Sequence, residues 1–333
     1  MTVPLNAITD VPGVLVGHHE RIGGGWATGT TVVLVPGGAT GAVDQRGGAP
    51  GTRETDLLRP ENLVSQVNAV CLSGGSAYGL AAADGVMRWL GERNLGTPVG
   101  REPYEVVPIV PGAVVFDLPR SEWGKRPDAA FGYAACEAAA TGPVAQGSVG
   151  VGAGAAVGSL KGGVGTASER VDGYTVGALA AVNAAGEAVD LATGRAFAAD
   201  HEVGGEFGVR WPDRPGEVTS RPTDLNTTVG VVATDAALSK AEARRLAVAA
   251  QDGLARAVRP AHTMFDGDTV FVLATGERAL PAEGIARVQA WNELSSAAAR
   301  VFARAMVHGL LAATTAGGVP AYRDVWPEAW PQG

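Results

Sequence analysis

The stretch DLNTTVGVVATDA, Asp224 to Ala236, joins two kinds of sequence. A proline-rich polar segment, RWPDRPGEVTSRPT (210–223), precedes it, and an apolar β-branched run, TVGVV (228–232), begins inside it. Valine and threonine suit the pleated, half-buried surface of a sheet, so a strand is expected from the threonines onward. Beyond this strand the chain alternates. Ser239 and Glu242 form a capping box at a helix start, with Leu246, Ala250, Leu254 and Val258 along one face and Pro260 as a stop. DTVFVLATG (268–276) reads as a strand, and the apolar run from Ile285 as a long buried helix. Strand, helix, strand, helix is the signature of a layered α/β fold.

Upstream, short apolar runs bounded by glycine dominate. TTVVLVP (30–36) and AVCLSGG (69–75) read as strands, YGLAAADGVMRWLGERN (78–94) and AAFGYAACEAAA (129–140) as helices, and EVVPIVPGAVVFDL (105–118) as a strand or strand pair. GSVGVGAGAAVGSLKGGVGTASERV (147–171) and YTVGALAAVNAAGEAVD (174–190) read as hairpins, one turning at Ala184-Ala185-Gly186. The region 205–226 reads as a surface loop.

Composition narrows the function. A net charge of −8 over 333 residues argues against nucleic acid, whose phosphates need a basic face. Two cysteines make no disulfide framework in a chain of this length, so a reducing, cytoplasmic setting is expected. No apolar run is long enough to span a bilayer, and the first residues show no basic region ahead of an apolar core. Glycine stands out at 48 residues, scattered among strands, as tight turns and close backbone approaches require.

Familiar catalytic patterns fail. His201-Glu202 lacks the second histidine of a zinc-protease helix. His18 and His19 would point to opposite faces of a strand. Lys161 lacks a phosphate loop, GVGAGA (150–155) reads as a tight hairpin rather than a dinucleotide site, and no Gly-x-Ser-x-Gly elbow occurs. Neither cofactor nor metal is expected.

Seven stretches in order resemble one family. They are ITDVPGVLVGH (8–18), AVDQRGGAPGTRETDLL (42–58), CLSGGSAYGLAAADGV (71–86), GSLKGG (158–163), AVNAAGE (181–187), NTT (226–228) and HTMFDGDTVF (262–271). Together they resemble the self-processing L-aminopeptidase/D-Ala-esterase (DmpA-type) peptidases, which include NylC-type nylon-oligomer hydrolases and β-aminopeptidases. The resemblance implies a single α/β domain over 1–333, an αββα sandwich like that of N-terminal-nucleophile hydrolases but differently connected. It also implies self-cleavage between Asn226 and Thr227, giving fragments 1–226 and 227–333, and a homo-oligomer, commonly a tetramer. The expected substrate is a small peptide, amide or ester, with no nucleic acid and no membrane as partner.

An N-terminal threonine carries its own base, because its free α-amine has a pKa near 7.7–8.0. That amine exists only after the preceding bond is cut. On residues alone Thr227 reads as the opening of a strand, and Thr228 is a rival nucleophile; the motif selects Thr227. Asp266 and Asp268 read as turn residues, or as a carboxylate pair that could also grip a substrate ammonium. The resemblance places Asp268 beside Thr227 with Asp266 behind it, and assigns His262 only packing. On residues alone Lys161 reads as an exposed lysine, Asn183 as a hairpin residue and Tyr78 as a core aromatic. The resemblance makes Lys161 an active-site cation, Asn183 an oxyanion donor and Tyr78 a supporting hydroxyl. Amide hydrolysis of small peptides is the leading expectation. A 6-aminohexanoate-oligomer hydrolase and an acyltransferase of the ornithine acetyltransferase type are the alternatives.

Overall fold

The computed structural model describes residues 4–219 and 225–331. The strands in chain order are β1 (Leu15–Gly23), β2 (Trp26–Gln45), β3 (Thr52–Arg53), β4 (Gln66–Ser73), β5 (Thr97–Pro98), β6 (Val106–Val107), β7 (Gly112–Val114), β8 (Ala156–Val157), β9 (Leu160–Lys161), β10 (Val164–Val171), β11 (Tyr174–Ala181), β12 (Val229–Ala236) and β13 (Thr269–Arg278). The helices are α1 (Ala82–Gly91), α2 (Ala129–Glu137), α3 (Lys240–Ala257), α4 (Ile285–Ala312) and α5 (Tyr322–Val325).

Hydrogen bonding runs without a break through β10-β11-β12-β13-β2-β4-β7-β3, with β1 also on β2. The 20-residue β2 carries this continuity. Its first half pairs with β1 and β4, its second with β13, and the register slips between Leu34 and Ala39. Pro36 and Gly37-Gly38 lie in that slip. Pro36 has no N–H to give, and Gly38 sits at φ +79°. The sequence pattern ended this strand at Pro36; instead the chain bends there and continues into a second layer.

Alternation of side chains then builds three cores. Val32 and Leu34 face α1 and α2, together with Cys71, Val86 and Leu90. Their neighbours Val33 and Val35 face inward, against Val231, Phe271 and Leu273 of the other half-sheet. Val232, Val270 and Val272 point outward to α3 and α4, meeting Leu246, Leu254 and Phe302. The layers are therefore helix, sheet, sheet, helix, as the resemblance implied. Each fully buried valine, leucine or phenylalanine contributes about 1.5–3 kcal/mol of transfer free energy.

Local signals hold where they are strongest. Ser239 and Glu242 cap α3 reciprocally, Oγ accepting from the Glu242 N–H and the carboxylate accepting from the Ser239 N–H. Two turn placements differ from expectation. One hairpin, β10–β11, unites parts of the two expected ones and turns at Asp172-Gly173, both at positive φ. That Asp-Gly pair is the favoured two-residue hairpin turn, whereas Ala184–Gly186 lies beyond the strand end. The expected hairpin at 150–155 is a single 3-10 turn, Gly150–Gly152, and the hairpin itself comes next as β8–β9. The expected loop at 205–226 has no regular element among its described residues, and its residues 220–224 lie outside the described residues. No described helix is long and apolar enough to cross a membrane.

Candidate active site

Register assembles the site. β12 lies between β11, antiparallel, and β13, parallel. Val229 is opposite Ala181 on one side and Thr269 on the other. Two residues before Val229 on β12 therefore means two residues past Ala181, which is Asn183, and the residues just before Thr269, which are Asp266 to Asp268. Positions some 40 apart in sequence become neighbours because one strand start is flanked by one strand end and another strand start.

The segment entering β12 is gripped as an extension of the sheet. The Asn226 N–H donates to Phe265 O (3.0 Å), the Gly267 N–H to Asn226 O (3.2 Å), and the Thr269 N–H to Thr228 O (3.0 Å). The Thr227 hydroxyl donates to Asn226 O at 2.5 Å, so it touches the carbonyl of the bond it would break. The rival hydroxyl, on Thr228, donates instead to Asn183 O at 3.3 Å. Thr227 and Thr228 are both buried.

Both carboxylates are wholly buried. Asp266 accepts the Ala185 N–H on Oδ1 (3.0 Å) and the Thr263 N–H and hydroxyl on Oδ2 (2.9 and 2.6 Å). Asp268 accepts the Thr228 N–H on Oδ1 (2.9 Å). Its Oδ2 meets the His262 N–H (3.1 Å) and Nδ1 (2.8 Å). Every carboxylate oxygen is thus engaged inside the chain, and in the uncut protein neither residue is presented to a substrate ammonium. Burial pushes the Asp268 carboxyl above its ordinary value; the His262 side chain pulls against that, and the Asp266 charge adds to it.

Glycines make this turn possible. The loop Arg46–Pro50 lies against it, with the Arg46 N–H donating to Asp268 O (2.7 Å) and the Ala49 N–H to Asp266 O (2.9 Å). A Cβ on Gly267 would stand 2.4 Å from Ala49 O, and one on Gly47, at φ +85°, 2.3 Å from Asp266 O.

Asn183 is fully buried, taking the Ala156 N–H on Oδ1 (2.9 Å) and pointing Nδ2 at Thr227 O (3.4 Å). Ala156 pairs with Lys161 across β8–β9, which places Lys161 one step behind Asn183. Lys161 is not the exposed lysine its surroundings in sequence suggest. It is buried, and Nζ donates to Gly152 O (2.6 Å) and Gly162 O (2.7 Å). Burial lowers its pKa to about 7, with Asp117 opposing the shift. Asp117, which no sequence motif singles out, is itself buried and raised to about 6 by that burial. It accepts from the Thr28 hydroxyl (2.7 Å) and the Gly75 N–H (2.6 Å), tying down the turn at 74–76.

Tyr78 stands apart from these contacts. It is 51% exposed rather than in the core, and Arg126 stacks on its ring at 3.6 Å. The aromatic ring beside Thr227 is Phe116. It lines a cavity of about 110 Å³ together with Pro50, Ser76, Ala77, Val114 and the Leu225–Thr227 segment. Only a ring at the end of the apolar run VVF (114–116) hinted at it. Among the described residues no group of three or more His, Cys, Asp or Glu is placed to hold a metal ion.

Lys161→Met keeps the stem but removes both Nζ bonds; Gly152 O keeps the Ala155 N–H (3.3 Å), while Gly162 O loses its Nζ donor, at about 1–3 kcal/mol. Between about 7 and 10.5 the unfolded chain binds the Lys161 proton and the folded chain sheds it. Stability therefore rises with pH across that window in the wild type. Urea midpoints measured from pH 7 to 10 should widen the gap between wild type and the Met variant; parallel curves would put the lysine's charge elsewhere.

The family model described as Peptidase family S58 matches residues 6–323. An uncharacterized aminopeptidase of Mycobacterium tuberculosis is 55% identical over 98% of this chain and 99% of its own. The 6-aminohexanoate-oligomer endohydrolase of Paenarthrobacter ureafaciens is 32% identical over 82% of this chain and 76% of its own. Among solved structures, a Burkholderia sp. beta-aminopeptidase superposes with TM-score 0.71 at 25% identity, over 100% of this chain and 96% of that one. The L-aminopeptidase D-Ala-esterase/amidase of Ochrobactrum anthropi, a variant of the Ntn hydrolase fold, does so with TM-score 0.74 at 23% identity, over 98% and 95%. The chain belongs to peptidase family S58 and is a hydrolase of amide bonds.

Proposed function

We propose that the chain is a precursor that cuts itself before Thr227 and then works as an N-terminal-threonine aminopeptidase or amidase on small peptides and amides. The observation that carries this is the Thr227 hydroxyl at 2.5 Å from Asn226 O, with the Gly267 N–H on the same oxygen. Thr227 Oγ1 adds to the Asn226 carbonyl carbon, and the negative charge that develops on the oxygen meets the Gly267 amide. The C–N bond breaks, its nitrogen takes a proton, and an ester joins Asn226 to Oγ1. Water then hydrolyses the ester, leaving the Asn226 carboxylate and a free threonine amine and hydroxyl.

In turnover the new amine takes the hydroxyl proton as Oγ1 attacks the substrate carbonyl. Asn183 Nδ2, which donates to Thr227 O in the uncut chain, turns from there to support the oxyanion. The uncharged cavity between Phe116 and Pro50 receives the acyl group once the Leu225–Asn226 end withdraws. Lys161, its pKa lowered by burial, acts from behind Asn183. With both cysteines buried and unpaired, we place the enzyme in the cytoplasm, as a homo-oligomer.

Purified protein held at neutral pH should give two bands on a denaturing gel, about two thirds and one third of the mass, the smaller beginning Thr-Thr-Val-Gly. A different N-terminus would move the nucleophile. An aminoacyl p-nitroanilide, a 6-aminohexanoate oligomer and N-acetylornithine assayed together would separate aminopeptidase, oligomer hydrolase and acyltransferase. The 32% identity to the oligomer hydrolase justifies the second of these.

A further inference from the structure

His262 lies in the stretch HTMFDGD, and packing alone does not account for its geometry. Its backbone is at φ +58°, the left-handed region that costs most residues strain and that Asn, Asp and His tolerate best. That conformation turns both its N–H and its Nδ1 onto a single atom, Asp268 Oδ2, at 3.1 and 2.8 Å. The other ring nitrogen, Nε2, is buried with no hydrogen-bond partner among the described residues. A ring kept only to fill space would do better without an unmatched buried polar atom. The polar edge that is matched faces the carboxylate whose other oxygen holds the Thr228 N–H.

We propose that His262 is a positioning residue for the nucleophile. Its Nδ1–H keeps Asp268 as an acceptor, in a place where burial and Asp266 favour taking up a proton. Asp268 then fixes the Thr228 N–H, and with it the Thr227 hydroxyl against the Asn226 carbonyl. The ring touches neither the reacting atoms nor the substrate; it acts through Asp268. This rests on Thr227 as the attacking residue.

The test uses the full chain and compares rates of self-cleavage by denaturing gel. His262→Gly removes the ring and accepts the positive φ, and should cleave at least about tenfold more slowly than wild type. His262→Asn tolerates the same φ and places a side-chain N–H near the Nδ1 position, so it should stay within about threefold. His262→Asp is nearly isosteric with Asn but offers no donor when ionised, and should be at least as slow as Gly. Thermal melts show whether each variant is folded, and if the Gly variant is not, the Asn–Asp pair decides. Equal rates for Asn and Asp, or a folded Gly variant as fast as wild type, would overturn the proposal. A wild-type chain that never cleaves would instead count against Thr227, which keeps the two failures apart.

Discussion

Thr227→Ala protein should remain one chain of full length and hydrolyse no substrate. The change removes the hydroxyl that contacts the Asn226 carbonyl oxygen at 2.5 Å, so the loss should reach the detection limit of both assays. Folding should survive. The sheet contacts of the segment come from backbone groups of residues 226, 228, 267 and 269, which alanine leaves in place. Thr227→Ser keeps a hydroxyl and should retain some cleavage. Thr228→Ala deletes the 3.3 Å bond to Asn183 O and a buried methyl, at about 1 kcal/mol each, and should still cleave at the same bond. Cleavage of the Thr227→Ala chain before residue 227 in clean preparations would end the self-processing mechanism. Full activity of uncut wild-type chain would end the role of the free amine.

Asp268→Asn should slow both cleavage and turnover by about a hundredfold. The carboxylate takes the Thr228 N–H on one oxygen and two donors of His262 on the other. An amide can match only one of these sides, because its NH2 must face donors on whichever side it points. The unmatched side costs about 1–3 kcal/mol of stability, partly offset by removing a charge from a buried pair, so melts should show a modest loss with the chain still folded. His201→Ala is the control, a half-buried residue on the 3-10 turn Ala199–His201 with no place in the assembly around Thr227. Equal loss from both changes would mean that stability, not site chemistry, was being read.

The sequence showed the alternation after Thr227 because α3 carries a capping box and a periodic face, and β13 an unbroken apolar run. It did not show β2. A Pro-Gly-Gly step ordinarily ends a strand, and only pairing with β4 and β13, far away in sequence, carries the strand across it. Likewise the alanine-glycine turn at 184–186 looked as good as Asp172-Gly173 until the strand partners were known. For the site, residue types at 226–228 and 266–268 mattered only through resemblance, since turns and strand starts use the same amino acids. Lys161 shows the limit most clearly. Glycine neighbours say nothing of burial, and the carbonyls that hold Nζ belong to residues with no side chain to give them away. Tyr78 and Phe116 differ for a similar reason: residue type does not say which of two aromatics lines the cavity beside Thr227 and which lies half exposed.

The position of β12 has a consequence for how the mature protein comes apart. The proposed break lies at its start, yet β12 is seated between β11 from the long piece and β13 from the short one, and β13 in turn is zipped to β2 of the long piece. Opening the bond changes the molecularity of unfolding. Before it, one molecule gives one unfolded chain, and the melting temperature is independent of dilution. After it, one folded particle gives two chains, and the same seams must be rejoined by collision. The cut protein should melt lower as it is diluted and the Thr227→Ala protein should not, so the two chains are wedded by their interlocked strands, and concentration becomes a term in the stability of the working enzyme.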